Sequence, residues 1–593
     1  MRPSCILRVV VGLAAGSSPI LKSEGSPADN VVRLPPFLVE VEPLEESPHW
    51  LHGEVPGMEI LSAGEEDETQ AFIQDLRRHR AYLSQLIPDE FLSHTALPTI
   101  LILFPRSLTV KMGEEMTREM GDISARSAES SRFEPMSDLR LSDPDSTFIF
   151  VVLKDWQWRS NQLQGRRGPR IVASPAYLRF LLESRVPALP AWFSVGVSKL
   201  YGSSLFSGLL SRPVLPAILK AVTKSPPKAE IDEFEPDPWL SEAAASVLRA
   251  DGGAPRPLLP MRELLVPMTP VGKSEEYRRV WEAQSELFVR WAYSENVAGG
   301  RDCLRRFVTA AATQPTTQEL FRFCFAMSYA DARDALSDYL SQAVQQPLRV
   351  SYEPIAMPQP IEWREAKPEE IHRINGEWAR RTLRIIKENY PKALPLYVEK
   401  TRRSLQHAYD RGERDPQLLA SLGLFRIDSG DATGGREILE KNPEAAAARP
   451  LAGLALAQFH FQDALQKPGG LNGNLSEEQA AQILATVSAT LEQTPPIESA
   501  FLLAAGVLRH LGREPTDRER ARLDEGARLF PRNSQLAIEC ASWDLRAGDV
   551  IGARSLTELA LWEASDPSAR EKLSILESLA TKASMPSNMI GSD

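Results

Sequence analysis

Apolar positions along the chain keep two rhythms before residue 346, helical spacing and continuous runs, and only the helical one from residue 367. Within DETQAFIQDLRRHRAYLSQLIP, residues Phe72, Ile73, Leu76, Leu83 and Leu86 recur at helical spacing and predict an amphipathic helix. Two continuous apolar runs, Pro98–Phe104 (PTILILF) and Thr147–Leu153 (TFIFVVL), are bounded by polar or Pro-containing stretches and predict buried strands. Between them, residues 106–146 are polar and Ser-rich, which predicts a long surface loop.

The segment Val172–Gly202, VASPAYLRFLLESRVPALPAWFSVGVSKLYG, reads as two helices joined by a Pro-rich corner. Ser174 can cap the first helix and Pro175 suits its first turn, where a missing N–H costs nothing. Tyr177, Leu178, Leu181 and Leu182 make its apolar face, and Val186 and Pro187 end it. The second helix starts near Pro190, with Trp192, Phe193, Val195, Val197 and Leu200 apolar. A Pro-rich acidic loop is expected at Lys224–Trp239. Helical segments follow at Leu258–Leu265, Arg278–Glu295, Arg301–Thr313 and onward to about residue 345, with Trp281, Phe288 and Trp291 spaced as core residues. Residues 346–366, with Pro347, Pro354, Pro358 and Pro360, read as a linker.

From 367 to 580 the text is Ala- and Leu-rich, helical in period, free of strand signals, and repetitive. LGLFRIDSGDATGGREIL (Leu422–Leu439) matches ASWDLRAGDVIGARSL (Ala541–Leu556) at a Gly-Asp turn followed by Gly-Gly-Arg or Gly-Ala-Arg. A helix, a Gly-Asp turn, small residues against the preceding helix and a Pro-containing corner make up the grammar of degenerate tetratricopeptide-like hairpins. Turns are therefore expected at Gly430-Asp431 and Gly548-Asp549, with Gly434, Gly435, Gly552 and Ala553 letting paired helices approach. Leu451–Gln466 and Glu498–Glu514 look like further repeats. The expected organisation is a tail with a signal peptide over 1–35, an α+β domain over 36–345, the linker, the repeats over 367–580 and a disordered tail over 581–593.

A chain of 593 residues with 43% hydrophobic and 25% charged residues has material for several cores. Its net charge of −11 argues against a nucleic-acid or anionic-membrane surface. The basic stretch Leu163–Arg170 is most simply a solvated loop. Cys5, Cys303, Cys324 and Cys540 form no CxxC pair, so neither a disulfide framework nor a Cys-based zinc site is expected, and Cys303 and Cys324 read as two buried thiols. MRPSCILRVVVGLAAGSSPI has signal-peptide grammar interrupted by Arg8; export to the periplasm or beyond is expected, with the cytoplasm as the alternative. No later stretch reaches the run of about 18 apolar residues that a membrane span needs.

Five stretches in order resemble the peptidase MA-like, gluzincin-type family of secreted bacterial proteins: PGMEILSAGEEDETQAFIQDL, LPTILILF, ALPAWFSVGVSKLYG, LLPMRELL and EAQSELFVRWAY…LRRFV. The resemblance implies a zincin-like α+β domain. It also implies an H-E-x-x-H helix, whose two His bind zinc while the Glu activates water, and a third ligand on the next helix. Aligned on Trp192 and Gly196, the first His position holds Pro175, the catalytic Glu position Ala176, the second His position Arg179 and the third-ligand position Val195. None of these side chains can do the corresponding work. The histidines are His49, His52, His79, His94, His372, His407, His460 and His510, so none lies between 95 and 371 in any register.

The expectation is a pseudo-peptidase with no catalytic residue, no cofactor and no metal. Pro175, Ala176, Arg179, Trp192 and Val195 would line a vestigial cleft, and the helical repeats would bind a protein or peptide. An active hydrolase with an unrecognised site and a purely structural envelope protein are the alternatives. No GxSxG elbow and no GxxxxGK[ST] loop is present. His49 and His52 read as exposed loop residues rather than a metal pair, and Arg179 with Glu183 as a surface helix pair.

Overall fold

The computed structural model describes residues 49–92, 99–105, 138–153, 175–203, 230–234, 258–265, 274–294 and 296–345, and residues 348–584 with short breaks. The tails expected at 1–35 and 581–593 and the cap at Ser174 fall wholly or largely outside these residues. The described residues belong to one compact unit. The described chain is mostly helical, with a small mixed sheet.

Its first part runs β1 (Leu51–Val55), β2 (Met58–Ser62), α1 (Glu66–Leu86), β3 (Thr99–Phe104), β4 (Asp138–Asp143), β5 (Ser146–Val152), α2 (Pro175–Glu183), α3 (Ala191–Ser203) and β6 (Glu230–Phe234). It continues with α4 (Met261–Leu265), α5 (Glu275–Tyr293), α6 (Gly300–Ala311), α7 (Gln318–Phe325), α8 (Tyr329–Gln345), β7 (Leu348–Tyr352) and β8 (Trp363–Glu365). Six strands pair in the order β4-β5-β3-β2-β1-β8; the β2–β3 and β3–β5 pairs are parallel and the others antiparallel. β6 and β7 form a separate antiparallel pair.

Period-two alternation sends each strand's side chains to two cores. Ile60, Leu101, Leu103, Ile149 and Val151 face a large cluster shared with α1–α8. Leu61, Ile100, Ile102, Leu141 and Phe148 face the other way, toward Ile371, Ile374, Trp378 and Ile385 of α9 (Pro368–Asn389). The continuous apolar runs of β3 and β5 are thus explained by burial on both faces.

Four sequence expectations change here. The segment 106–146, expected as a loop, supplies edge strand β4 in register with β5. β6 lies inside the acidic segment expected as a loop at Lys224–Trp239. The segment expected as a linker, 346–366, supplies β7 and β8, and β8 extends the main sheet against β1. Trp363 holds it there: its indole Nε1 donates to Gln70 Oε1 at 2.9 Å, and its ring covers Gly53 so closely that a Cβ would come within 2.6 Å. His52 is a buried strand residue whose Nε2 lies 2.9 Å from Glu59 Oε1, while His49 is exposed.

After α9 the chain continues α10 (Leu394–Asp410), α11 (Pro416–Asp428), α12 (Ala432–Lys441), α13 (Pro443–Ala448), α14 (Pro450–Gln466) and α15 (Glu477–Leu491). It ends with α16 (Glu498–Arg509), α17 (Asp517–Leu529), α18 (Ser534–Ala547), α19 (Val550–Glu563) and α20 (Pro567–Ser584). Helices α9, α11, α14, α16, α18 and α20 pack each against the next. Helices α10, α12, α15, α17 and α19 form a second layer, each lying between its own partner and the following one. This is a stacked array of antiparallel helical hairpins.

Candidate functional site: the two-helix corner and the seam

α2 and α3 pack together, and their residues separate by spacing. On α2, Tyr177, Leu178, Phe180, Leu181 and Leu182 are buried, whereas Arg179 is exposed. Glu183 pairs with Arg140 of β4, which corrects the expected partnership with Arg179. Pro175 and Ala176 start the helix, and their side chains lie outside the described residues. On α3, Trp192 is fully buried among Phe193, Phe288 and Phe307, so its place is in the core and not on a cleft wall. Val195 is half-buried against the same cluster. Gly196 lets α3 approach α5, where a Cβ would come within 2.5 Å of the Ser285 carbonyl oxygen. Trp281, Phe288 and Trp291 are core side chains. Among the described residues no three of His, Cys, Asp and Glu come together as a metal-binding group.

The densest polar arrangement lies elsewhere, where α9 and the array meet the β4–β5 turn. Glu377, Arg380 and Arg381 sit on one face of α9. Arg380 Nε and Nη2 donate to Glu377 Oε2 and Oε1, both at 2.8 Å, and Nη1 donates to Asp428 at the end of α11 at 2.5 Å. Arg380 also pairs with Asp143. Arg381 donates to Glu377 Oε1 at 2.7 Å and to the Ser146 carbonyl at 2.6 Å, and stacks 4.7 Å from the Phe148 ring centroid. Arg449, just before α14, donates twice to Asp145, at 2.7 and 3.0 Å, and reaches Glu377 at 2.8 Å.

Burial works against the charge on Glu377. The guanidinium groups of Arg380, Arg449 and Arg381 overturn that and hold the carboxyl well below its ordinary range. Asp145 is likewise pulled down against burial, chiefly by Arg449. Removing any one member would leave buried charge uncompensated.

Two further contacts fasten the array to the first part of the chain. Arg532, in the turn before α18, donates to the carbonyl oxygens of Ala311 at 2.6 Å, Ala312 at 3.1 Å and Ala188 at 3.2 Å. Ala188 belongs to the α2–α3 corner. Arg262 of α4 lies 5.5 Å from the Trp562 ring centroid of α19. Arg449, Arg532 and Trp562 all lie on the edge of the array where first-layer helices begin and second-layer helices end. At those points the edge contacts the chain's own α/β part, which also packs along α9.

The expected turns fall at helix junctions. Gly430 and Gly548 have φ of +95° and +85°, and Asp431 and Asp549 cap α12 and α19 by accepting from Gly434 N at 2.9 Å and Gly552 N at 2.8 Å. Sequence reasoning missed the seam. Glu377-x-x-Arg380-Arg381 is indistinguishable by spacing from a solvated helix face, and Arg449 and Arg532 are single cations in loops.

No family model matches the chain, and no curated relative does. Among solved structures it is similar to a thermophilic tetratricopeptide-repeat protein of Thermus thermophilus, at 17% identity over 33% of this chain and 98% of that one, with a TM-score of 0.23. At that TM-score the similarity carries no argument; the helical-hairpin reading rests on the packing order of α9–α20.

Proposed function

We propose that the chain is a non-catalytic pseudo-peptidase that serves as a protein- or peptide-binding scaffold. The observation that carries the reading is a conjunction. The positions at which the gluzincin resemblance would place zinc ligands and base hold Pro175, Ala176, Arg179 and Val195, and a stacked hairpin array is bolted to that domain through buried charge. Such an array offers an extended surface to a protein partner. Because one edge already holds the α/β part, the partner would use the helices left open. No helix among the described residues is long and apolar enough to cross a membrane. Export, on the strength of the N-terminal pattern, belongs to the same proposal.

The first experiment is the zinc content of the untagged full chain, measured by mass spectrometry after dialysis against zinc. The reading requires less than about a tenth of an equivalent, since three-ligand zinc sites retain their metal. Near one equivalent, with peptide hydrolysis abolished by chelation, returns the enzyme reading. Crosslinking of the full chain followed by reconstitution with the purified partner tests the scaffold half. A saturable complex supports it, and no partner that reconstitutes leaves the purely structural reading in its place.

A further inference from the structure

Helices α6 and α7 form a short antiparallel hairpin whose register is fixed by aromatic rings. Phe307 of α6 packs edge-on against Phe321 of α7 at 5.4 Å and against Phe325 at 5.8 Å. One helical turn back from Phe307 is Cys303, and three residues on from Phe321 is Cys324. The ring contacts therefore bring the two cysteines to adjoining positions on the hairpin interface. Both belong to the same hydrophobic cluster, both are reduced, and Arg306 Nη2 lies 3.6 Å from Cys303 Sγ. They differ in access: Cys303 is half-buried, while Cys324 is buried at 4% exposure.

We propose that Cys303 and Cys324 are a redox-active dithiol that closes to a disulfide across the α6–α7 hairpin when the chain meets a small disulfide oxidant. The accessible Cys303 thiolate attacks one sulfur of the oxidant, breaks its S–S bond and expels one thiolate, leaving a mixed disulfide on Cys303. Arg306 places its cation where that sulfur exchange carries negative charge. Cys324 loses its proton and attacks Cys303 Sγ, which expels the second oxidant thiolate. The oxidant is reduced by two electrons to two thiols, which take up the two cysteine protons, and the Cys303–Cys324 bond holds the oxidation. Burial pushes the Cys324 thiol up, which suits the second, intramolecular attack rather than the first. The hairpin matters beyond itself, because the Ala311 and Ala312 carbonyls that receive Arg532 close the C-terminal end of α6. The bond would brace the seat of the array.

The test is native incubation of the full chain with glutathione disulfide, followed by alkylation and peptide mapping. The expected result is a loss of about 2 Da at these residues, with the tryptic peptides Asp302–Arg305 and Phe323–Arg333 joined. In C324S the glutathione adduct should persist on Cys303, because nothing resolves it. In C303S, Cys324 should stay unmodified. A persistent adduct on wild-type Cys303 with Cys324 still alkylatable overturns the proposal. So does a joined peptide that forms only under denaturing conditions.

Discussion

The hairpin α11–α12 and the hairpin α18–α19 turn on the same backbone, yet they sit in opposite electrostatic surroundings. Each has a left-handed glycine, an Asp cap and a buried small residue four positions after the cap. Five residues before the cap, however, the first has Arg426, whose Nη1 lies 3.6 Å from Asp431, and the second has Asp544. The first hairpin also feeds Asp428 into the seam, whereas the second is fastened to the α/β part by Arg532 and Trp562. A turn motif fixes the backbone path and leaves the charge of its neighbourhood open. What surrounds the turn records how the hairpin docks.

The largest test of this contrast is E377Q. It removes the carboxylate shared by Arg380, Arg381 and Arg449, for which the second hairpin has no counterpart. Leaving buried guanidinium groups uncompensated should cost about 3–5 kcal/mol in denaturant unfolding. Glu377 and Asp145 are held below their ordinary values in the folded state. Their contributions are therefore fully present above the unfolded values, 4.5 for Glu377 and 3.8 for Asp145, and are lost as pH falls below them. The wild type should lose stability steeply on acidification, and E377Q should lose less over the same range. Equal acid slopes would show that the seam carries no net electrostatic stabilisation.

Next comes the helix crossing. A Cβ on Gly435 would come within 2.6 Å of the Gly423 carbonyl oxygen, a backbone atom that cannot swing aside. G435A should therefore cost about 1–3 kcal/mol. Ala553, at the matching position, is fully buried with its methyl accommodated. A553G should cost only about 1 kcal/mol, for lost helix propensity and a small void. If the two substitutions cost the same, the hairpins do not differ in interhelical approach.

A third test uses the acidic side of the second hairpin. Burial, with Asp524 and Asp549 nearby, pushes Asp544 up to about 7 from an ordinary 3.8. An acid that holds its proton more tightly when folded makes stability fall as pH rises from the unfolded value to the folded one, and level off above it. D544N should remove that fall, gaining about 1–2 kcal/mol over wild type at pH 8 and little at pH 5. A variant no more stable than wild type at pH 8 would place Asp544 in a well-solvated site.

Much of this architecture was legible in the residues. The apolar runs of β3 and β5, the helical face of α1 and the two Gly-Asp turns each carry their own local signal, and each forms where that signal lies. β8 and β6 were not legible, because Pro-rich and acidic text masks short strands whose partners are remote: β8 pairs with a strand over 300 residues earlier. Trp192 was misplaced for a similar reason. An aromatic residue beside a corner reads equally as cleft wall or core, and only the arrival of Phe288 and Phe307 decides it. The seam was invisible because a charged triplet on a helix face looks the same whether it meets water or the β4–β5 turn. Of the small residues expected to let helices approach, Gly435 does so, and Ala553 is fully buried. Gly434 and Gly552 instead make room for the Asp431 and Asp549 carboxylates, at 2.3 and 2.6 Å from a notional Cβ.

The smallest effect is the most discriminating. D431A and D549A each remove one cap bond of the same kind, and on the turn alone each should cost about 1 kcal/mol. Their neighbours separate them. Asp431 also faces the Arg426 cation, so D431A forfeits an attraction along with the cap. Asp549 helps push Asp544 up, so D549A relieves a repulsion as it removes the cap, and part of the loss returns. D431A should therefore be the costlier by a few tenths of a kcal/mol, an exposed-pair magnitude, and the gap should narrow in high salt as both terms are screened. In a D544N background the D549A cost should rise toward that of D431A, since no charge remains at residue 544 to repel. If D549A costs the same with and without Asp544, the two carboxylates do not feel one another, and the second hairpin is no more strained than the first.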